Sequence, residues 1–139
     1  MDWLTFEGVP WWGVLVAFLV TFIFGWFYYS PAGLFPLWAR LARVKNTDVE
    51  NASMGVAFGG TILANVLGVI LLAVLMVGLG IDDWGSGLAF GAVVGLVFRG
   101  GAHALHNGFA VRHPGVTALD TLHDTVALGL SGLVLALFM

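Results

Sequence analysis

The sequence predicts an all-α integral membrane bundle of four transmembrane helices, with both termini outside and a short interfacial helix after the first span. Three observations predict it. Of 139 residues, 60% are hydrophobic and only 9% charged, against roughly 25% charged in soluble domains, and the mean hydropathy is +0.99. Four apolar segments match the ~20 residues that a helix needs to cross a bilayer. All five basic residues then fall on one side of the chain's path.

The first span is read at 10–29 and ends at Ser30-Pro31, because proline disfavours helix in the residue before it. Leu34, Phe35, Leu37, Trp38 and Leu41, with Arg40 and Arg43 between them, predict the amphipathic interfacial helix. Thr47-Asp48-Val49-Glu50 has capping-box spacing and is read as the start of the second helix, whose apolar span is 54–79. The third span starts near residue 86. Its purely apolar part stops at Phe98, too short to cross, so it must continue through Arg99 and the histidines to 110. The fourth is 118–138. The gaps are short, so residues 1–139 form a single domain.

The basic residues set the orientation. Arg40, Arg43 and Lys45 lie in one connection; Arg99 and Arg112 flank another. The rule that basic loops stay inside makes loops 31–53 and 111–117 cytoplasmic. Asp2, Glu7, Asp82 and Asp83 mark the other side. The expected aromatic belts are Trp3, Trp11, Trp12 and Trp84 outside, and Trp26, Tyr28, Tyr29 and Trp38 inside, where anchoring is the plain reading. MDWLTFEG is acidic where a signal peptide needs bases, so the first apolar run is read as a retained helix. Five bases make no nucleic-acid surface, and cysteine is absent.

Small residues predict the packing. Gly87, Gly91 and Gly95 form a small-xxx-small row on the third helix. Ala57, Thr61 and Asn65, with Gly60, Ala64 and Gly68, form two rows on the second. Gly132 and Ala136 do the same on the fourth. A compact bundle accounts for all of them, and self-association is a further use.

Every histidine of the protein lies between Arg99 and Asp124. Continuing the glycine row by fours reaches Arg99 and His103, with His106 on the same face. On the fourth helix Asp120 and Asp124 are four apart, with His123 at their flank. The short turn makes the two helices antiparallel neighbours. The predicted facing set is Arg99, His103, His106 and Asn107 against Asp120, His123 and Asp124, with His106 and His123 at similar depth. A charge at mid-bilayer costs about 2.5–3.5 kcal/mol, so such groups face a bundle interior and find partners. Plainer readings stand beside this one. Asp120, three residues after Thr117, has the position of a helix cap. Arg99 can snorkel to headgroups. Arg112 and His113 read as loop residues. Asn65, with Thr61, is a bundle-interior polar group read first as hydrogen-bonding glue.

His103, His106, His123 and Asp124 are also a minor candidate metal set, and His106 with His123 a minor haem pair; no cofactor is predicted. No nucleophile elbow, zinc-protease helix, P-loop or dinucleotide fingerprint occurs, so no catalytic residue is assigned and the balance leans away from an enzyme.

Trp26-Phe27-Tyr28-Tyr29-Ser30-Pro31, followed by Leu34-Phe35 and Trp38, resembles the signature of a family of small four-span bacterial membrane proteins catalogued only as a conserved domain of unknown function. The signature residues are Trp26, Tyr29, Ser30, Pro31 and Trp38. The likeness in layout covers nearly the whole chain. It implies a four-helix protein of the bacterial inner membrane and carries no activity. Three functions are left, in descending order. The first is an accessory or interaction protein of a membrane complex, partnered by other subunits. The second is a homo-oligomeric transporter or channel for a proton or small ion, using the Arg/His/Asp cluster. The third is a metal- or haem-binding membrane protein.

Overall fold

A computed structural model describes residues 5–139 and, within them, all but the side chains of Asn46 and Val49. Asp2 and Trp3, expected at the outer interface, lie outside the described residues. Four helices are long and apolar enough to cross a membrane: α1 (Trp11–Tyr28), α4 (Met54–Leu79), α5 (Trp84–Phe109) and α6 (Pro114–Ala136). Two short helices, α2 (Phe35–Ala42) and α3 (Asn46–Asn51), fill the first connection.

Local chemistry sets the boundaries. α1 stops before Pro31, and the Ser30 hydroxyl then accepts the Gly33 N–H at 3.1 Å. α2 ends on Arg43 in a left-handed conformation (φ 55°), with Val44 N–H bonded to the Ala39 carbonyl and Arg43 N–H to that of Arg40. This is a Schellman closure built on arginine where glycine is usual. α4 closes in the same way at Gly80 (φ 66°). Asp83 caps α5 by accepting the N–H groups of Gly85 and Ser86, each at 3.0 Å. His113 caps α6 through Nδ1, which accepts the Gly115 N–H at 3.0 Å, and Pro114 takes the first helical position.

Three expectations change here. The capping-box stretch builds the separate helix α3, in which Asp48 Oδ2 accepts the Lys45 N–H at 2.9 Å; the second span restarts at Met54. α6 begins at Pro114, four residues earlier than read, because the His113-Pro114 pair supplies both cap and first-turn geometry. Asp120 therefore lies beyond the first turn and is not its cap. Finally, the glycine row on α5 does not continue at Arg99.

The reason is a π-helical segment at Gly95–Gly100, which adds one residue to the turn. The α6-facing positions run Gly87, Gly91, Gly95 and then Gly100. A Cβ at Gly87 would strike the Gly132 carbonyl oxygen. One at Gly91 would strike that of Leu128, one at Gly95 that of Asp124, and one at Gly100 the Thr121 side chain. Backbone thus packs on backbone along the α5–α6 seam, and the row predicted from spacing is occupied inside the monomer.

α6 is the central element and touches α1, α2, α4 and α5. The dense apolar cluster lies towards one end of the bundle: Val9, Val14 and Ala17 from α1 and its approach, Val69, Leu72, Ala73 and Met76 from α4, and Leu135 from α6. This is the end that carries Asp82 and Asp83; call it the acidic end. At the opposite, basic end α4 departs from its neighbours. Residues 54–64 are all exposed, and a Cβ at Gly55, Gly59, Gly60 or Gly68 would meet nothing within 4 Å. The small residues of α4 (Ala57, Thr61 and Ala64 among them) were expected to pack within the bundle, and they do not. Trp11, Trp12, Trp26 and Trp84 are exposed, as interface or lipid-facing rings are.

Candidate functional site

Asp124 is the eleventh of the 23 residues of α6, about 15 Å from the helix start at 1.5 Å per residue. It sits at mid-span and is 7% exposed. Three side chains converge on it. Arg99 donates Nε–H to Oδ2 at 2.9 Å. His103 meets the same oxygen through Nε2 at 3.0 Å. His123 meets Oδ1 through Nδ1 at 2.8 Å. The π turn is what brings Arg99 round: it keeps Gly95 and Gly100 in the seam and leaves Arg99 beside it. Of the two readings of Arg99, the structure shows the inward one, with the side chain 40% exposed and its head on the carboxylate.

His123 stands among aromatic rings. Phe24 stacks on it at 5.5 Å between centroids, Tyr28 meets it edge-on at 5.1 Å, and Tyr29 lies at 5.0 Å. Its Nε2 is buried without a hydrogen-bond partner among the described residues and lies against Gly25, where a Cβ would be 3.0 Å away.

Below the carboxylate is a cavity of about 20 Å³ lined by Thr21, Asn65, Arg99, Asp124 and Ser131, among others, the size that holds one water. Ser131 Oγ is fully buried and has no hydrogen-bond partner among the described residues. Thr21 satisfies itself by donating to the Ala17 carbonyl. Asn65 is half-buried and makes no side-chain hydrogen bond among the described residues. It lines the cavity beside Thr21, Arg99 and Asp124 and makes no cross-bundle hydrogen bond among the described residues. The other glue candidate, Thr61, is exposed and donates to the Ala57 carbonyl of its own helix.

Two predicted members stand apart. His106 is exposed, and its side chain joins none of these contacts; His103, one turn deeper, is the residue that reaches the Asp124 group. Asn107 is half-buried, with Nδ2 unpartnered. Asp120 belongs to a different cluster: its Oδ1 accepts the Tyr29 hydroxyl at 2.7 Å and the Trp38 indole N–H at 2.9 Å. Tyr28, on the same turn, donates its hydroxyl to the Leu119 carbonyl at 2.8 Å. The aromatic signature after the first span therefore clamps α1 and α2 to α6. Tyr29 and Trp38, expected to be anchors, are structural hydrogen-bond donors. Among the described residues, no three His, Asp or Glu side chains are grouped to hold a metal ion, and the expected His106–His123 pair does not form.

Sequence reasoning passed over Thr21, Phe24 and Gly100. A hydroxyl midway along an apolar span was the signal for Thr21, and the Gly100-Gly101 pair after Arg99 was the signal for the shifted row. Phe24 gave no signal.

A family model described as "Protein of unknown function (DUF1761)" matches residues 12–136. The chain belongs to the DUF1761 family. The match includes the whole Tyr29–Trp38–Asp120 clamp and the Asp124 cluster, so both lie within the family's common region. DUF1761 carries no activity in its description. No curated protein and no solved structure matches the chain.

Proposed function

We propose that this DUF1761 protein handles protons within the membrane, as a small, homo-oligomeric transporter-type unit whose charge centre is Asp124. The observation that carries this reading is a mid-span carboxylate shared by an arginine and two imidazoles. Ionisable groups at this depth are costly, and they mark ion and proton pathways. Arg99 supplies the permanent counter-charge. His103 and His123 each donate to one carboxylate oxygen, so a doubly protonated His103 can pass its Nε2 proton to Asp124 and return to the neutral imidazole, leaving the proton held at mid-span. Which ring nitrogen carries hydrogen follows from the bonding pattern: both nitrogens facing Asp124 donate, and His103 Nδ1 and His123 Nε2 are free to accept. His103 is the more exposed imidazole, with 34% of its side chain accessible against 16% for His123. It is the entry from the basic end. Beyond the cavity at Ser131, the apolar cluster of Leu72, Met76 and Leu135 blocks the way to the acidic end. The path is a half-channel reached from the basic end, and completing it requires the packed 69–76 part of α4 to part from Leu135.

The distribution of bases supports a cytoplasmic basic end with both termini outside, and the family resemblance supports a bacterial inner membrane; both are part of the proposal. In liposomes with an imposed pH gradient, the wild-type protein should dissipate the gradient. Asp124→Asn and His123→Ala should abolish flux, and His106→Ala should retain it. Wild-type protein that is inserted and folded yet passes no protons contradicts the proposal.

A second reading, an accessory subunit of a membrane complex, is favoured by one observation. Residues 54–64 of α4 are exposed, and its glycines there face open space among the described residues, as a surface for another polypeptide would. A stoichiometric partner found in native mass spectra after gentle extraction supports it. A bare homo-oligomer goes against it and favours the first reading.

A further inference from the structure

The basic end holds a second cleft that the proton path does not use. It lies between the end of α2 and the α5–α6 turn, has a volume of about 460 Å³, and is lined by Leu41, Arg43, Val111, Arg112, His113 and Pro114, with Ala42. The two sides are held together by named contacts. Trp38 and Tyr29 tie α2 to Asp120, and Leu41 packs so close to Gly115 that a Cβ there would be 2.8 Å from Leu41 Cδ1. Arg43 and Val111, one on each wall, are the only non-glycine residues with positive φ among those described, at 55° and 54°.

The lining combines basic side chains, Arg43 and Arg112, with apolar ones, Leu41, Val111 and Pro114. Two arginines from distant parts of the chain face one opening, and no carboxylate lines it. Among the described residues, neither arginine takes part in an ion pair. Val111 and its neighbour Phe109 are 91% and 89% exposed. Apolar side chains so bare at the end of a membrane span are covered by lipid, which puts the cleft at headgroup level. Its volume is many times a water's share of about 30 Å³, enough for a phosphate with its glycerol.

The geometry points to a binding site for the phosphate headgroup of an anionic phospholipid, bracketed by Arg43 and Arg112, with the acyl chains leaving over Leu41 and Val111. Arginine is suited to this because its planar fork meets phosphate oxygens in pairs. Basic clefts beside spans on the cytoplasmic side are used in this way.

The test is native mass spectrometry of the full chain released from nanodiscs containing equal phosphatidylglycerol and phosphatidylcholine. Wild-type protein should retain phosphatidylglycerol preferentially. The double variant R43A/R112A should lose that preference about thirtyfold, at about fivefold per arginine. R40A should keep it, because Arg40 is exposed on the same short helix but outside the cleft. R43Q/R112Q replaces the alanine pair if the latter fails to fold. Equal retention of the two lipids, or an equal loss in R40A, would overturn the site, since either result means diffuse surface charge. Displacement of the lipid by millimolar inorganic phosphate would also overturn the lipid assignment and make the cleft a site for soluble phosphate.

Discussion

Replacing Arg99 by leucine tests the charge centre through stability, and the structure predicts an asymmetry. Asp124 is 7% exposed and Arg99 has 40% of its side chain accessible. Removing one partner of a buried ion pair costs about 3–5 kcal/mol because the other charge is left uncompensated. Arg99→Leu strands the buried partner and should cost about 3 kcal/mol, the lower bound because His103 and His123 still donate to the carboxylate. Asp124→Asn strands the wetter partner, whose long side chain can swing to the headgroups; about 1–2 kcal/mol is expected. The double variant, with neither charge, should cost less than the sum of the two singles. The assay is unfolding by dodecyl sulfate titration in mixed micelles, with helicity as the readout. Equal costs for the two single variants, or a double variant as damaged as their sum, would refute the reasoning.

Three further outcomes follow from the packing and the caps. Gly91→Ala drives a methyl into the Leu128 carbonyl, so α5 and α6 must separate; a loss of about 1–3 kcal/mol is expected in the same titration, whereas Gly60→Ala, in open space, should be neutral. Tyr29→Phe and Trp38→Phe each remove a donor to Asp120, at about 1.5–3 kcal/mol each, and should raise protease cleavage between α2 and α3. Asp83 lies outside the spans, and hydrogen bonds from Ser86, its side chain first and then its backbone, hold the carboxyl below its usual 3.8. A lowered carboxyl value means the cap's contribution is complete above that value and is lost as pH falls through the lower, folded one. Protection of the Gly85 and Ser86 amides, measured against their intrinsic exchange rates at each pH, should fall only in that acid range.

The bundle was legible because hydropathy and length settle what a bilayer can accept. Continuing the third span through Arg99 followed from length alone. The meeting of Asp124 with arginine and histidine was legible in part, since a buried charge at that depth must find a partner. Which histidine it meets was not, because the four-residue row put Arg99 and His103 on the packing face with His106 beside them, whereas the π turn puts Gly100 there. The Asp120 clamp was hidden by distance: its donors lie 91 and 82 residues away in sequence, and Tyr and Trp at a span end already have a sufficient explanation as anchors. The glycines of α4 and α5 look alike in sequence. Only the neighbour distinguishes them, and among the described residues Gly55, Gly59 and Gly60 of α4 have none within 4 Å.

The most direct test of the account uses the absence of cysteine from the sequence. A single Asn65→Cys substitution puts one thiol at the cavity beside Asp124. In sealed vesicles, a small impermeant cationic thiol reagent is applied to one side at a time, with Lys45→Cys marking the basic side. The account predicts modification of Asn65→Cys from the basic side only, and none at Leu72→Cys from either side. Modification of Asn65→Cys from the acidic side, or from neither side, contradicts a mid-span site reached from the basic end.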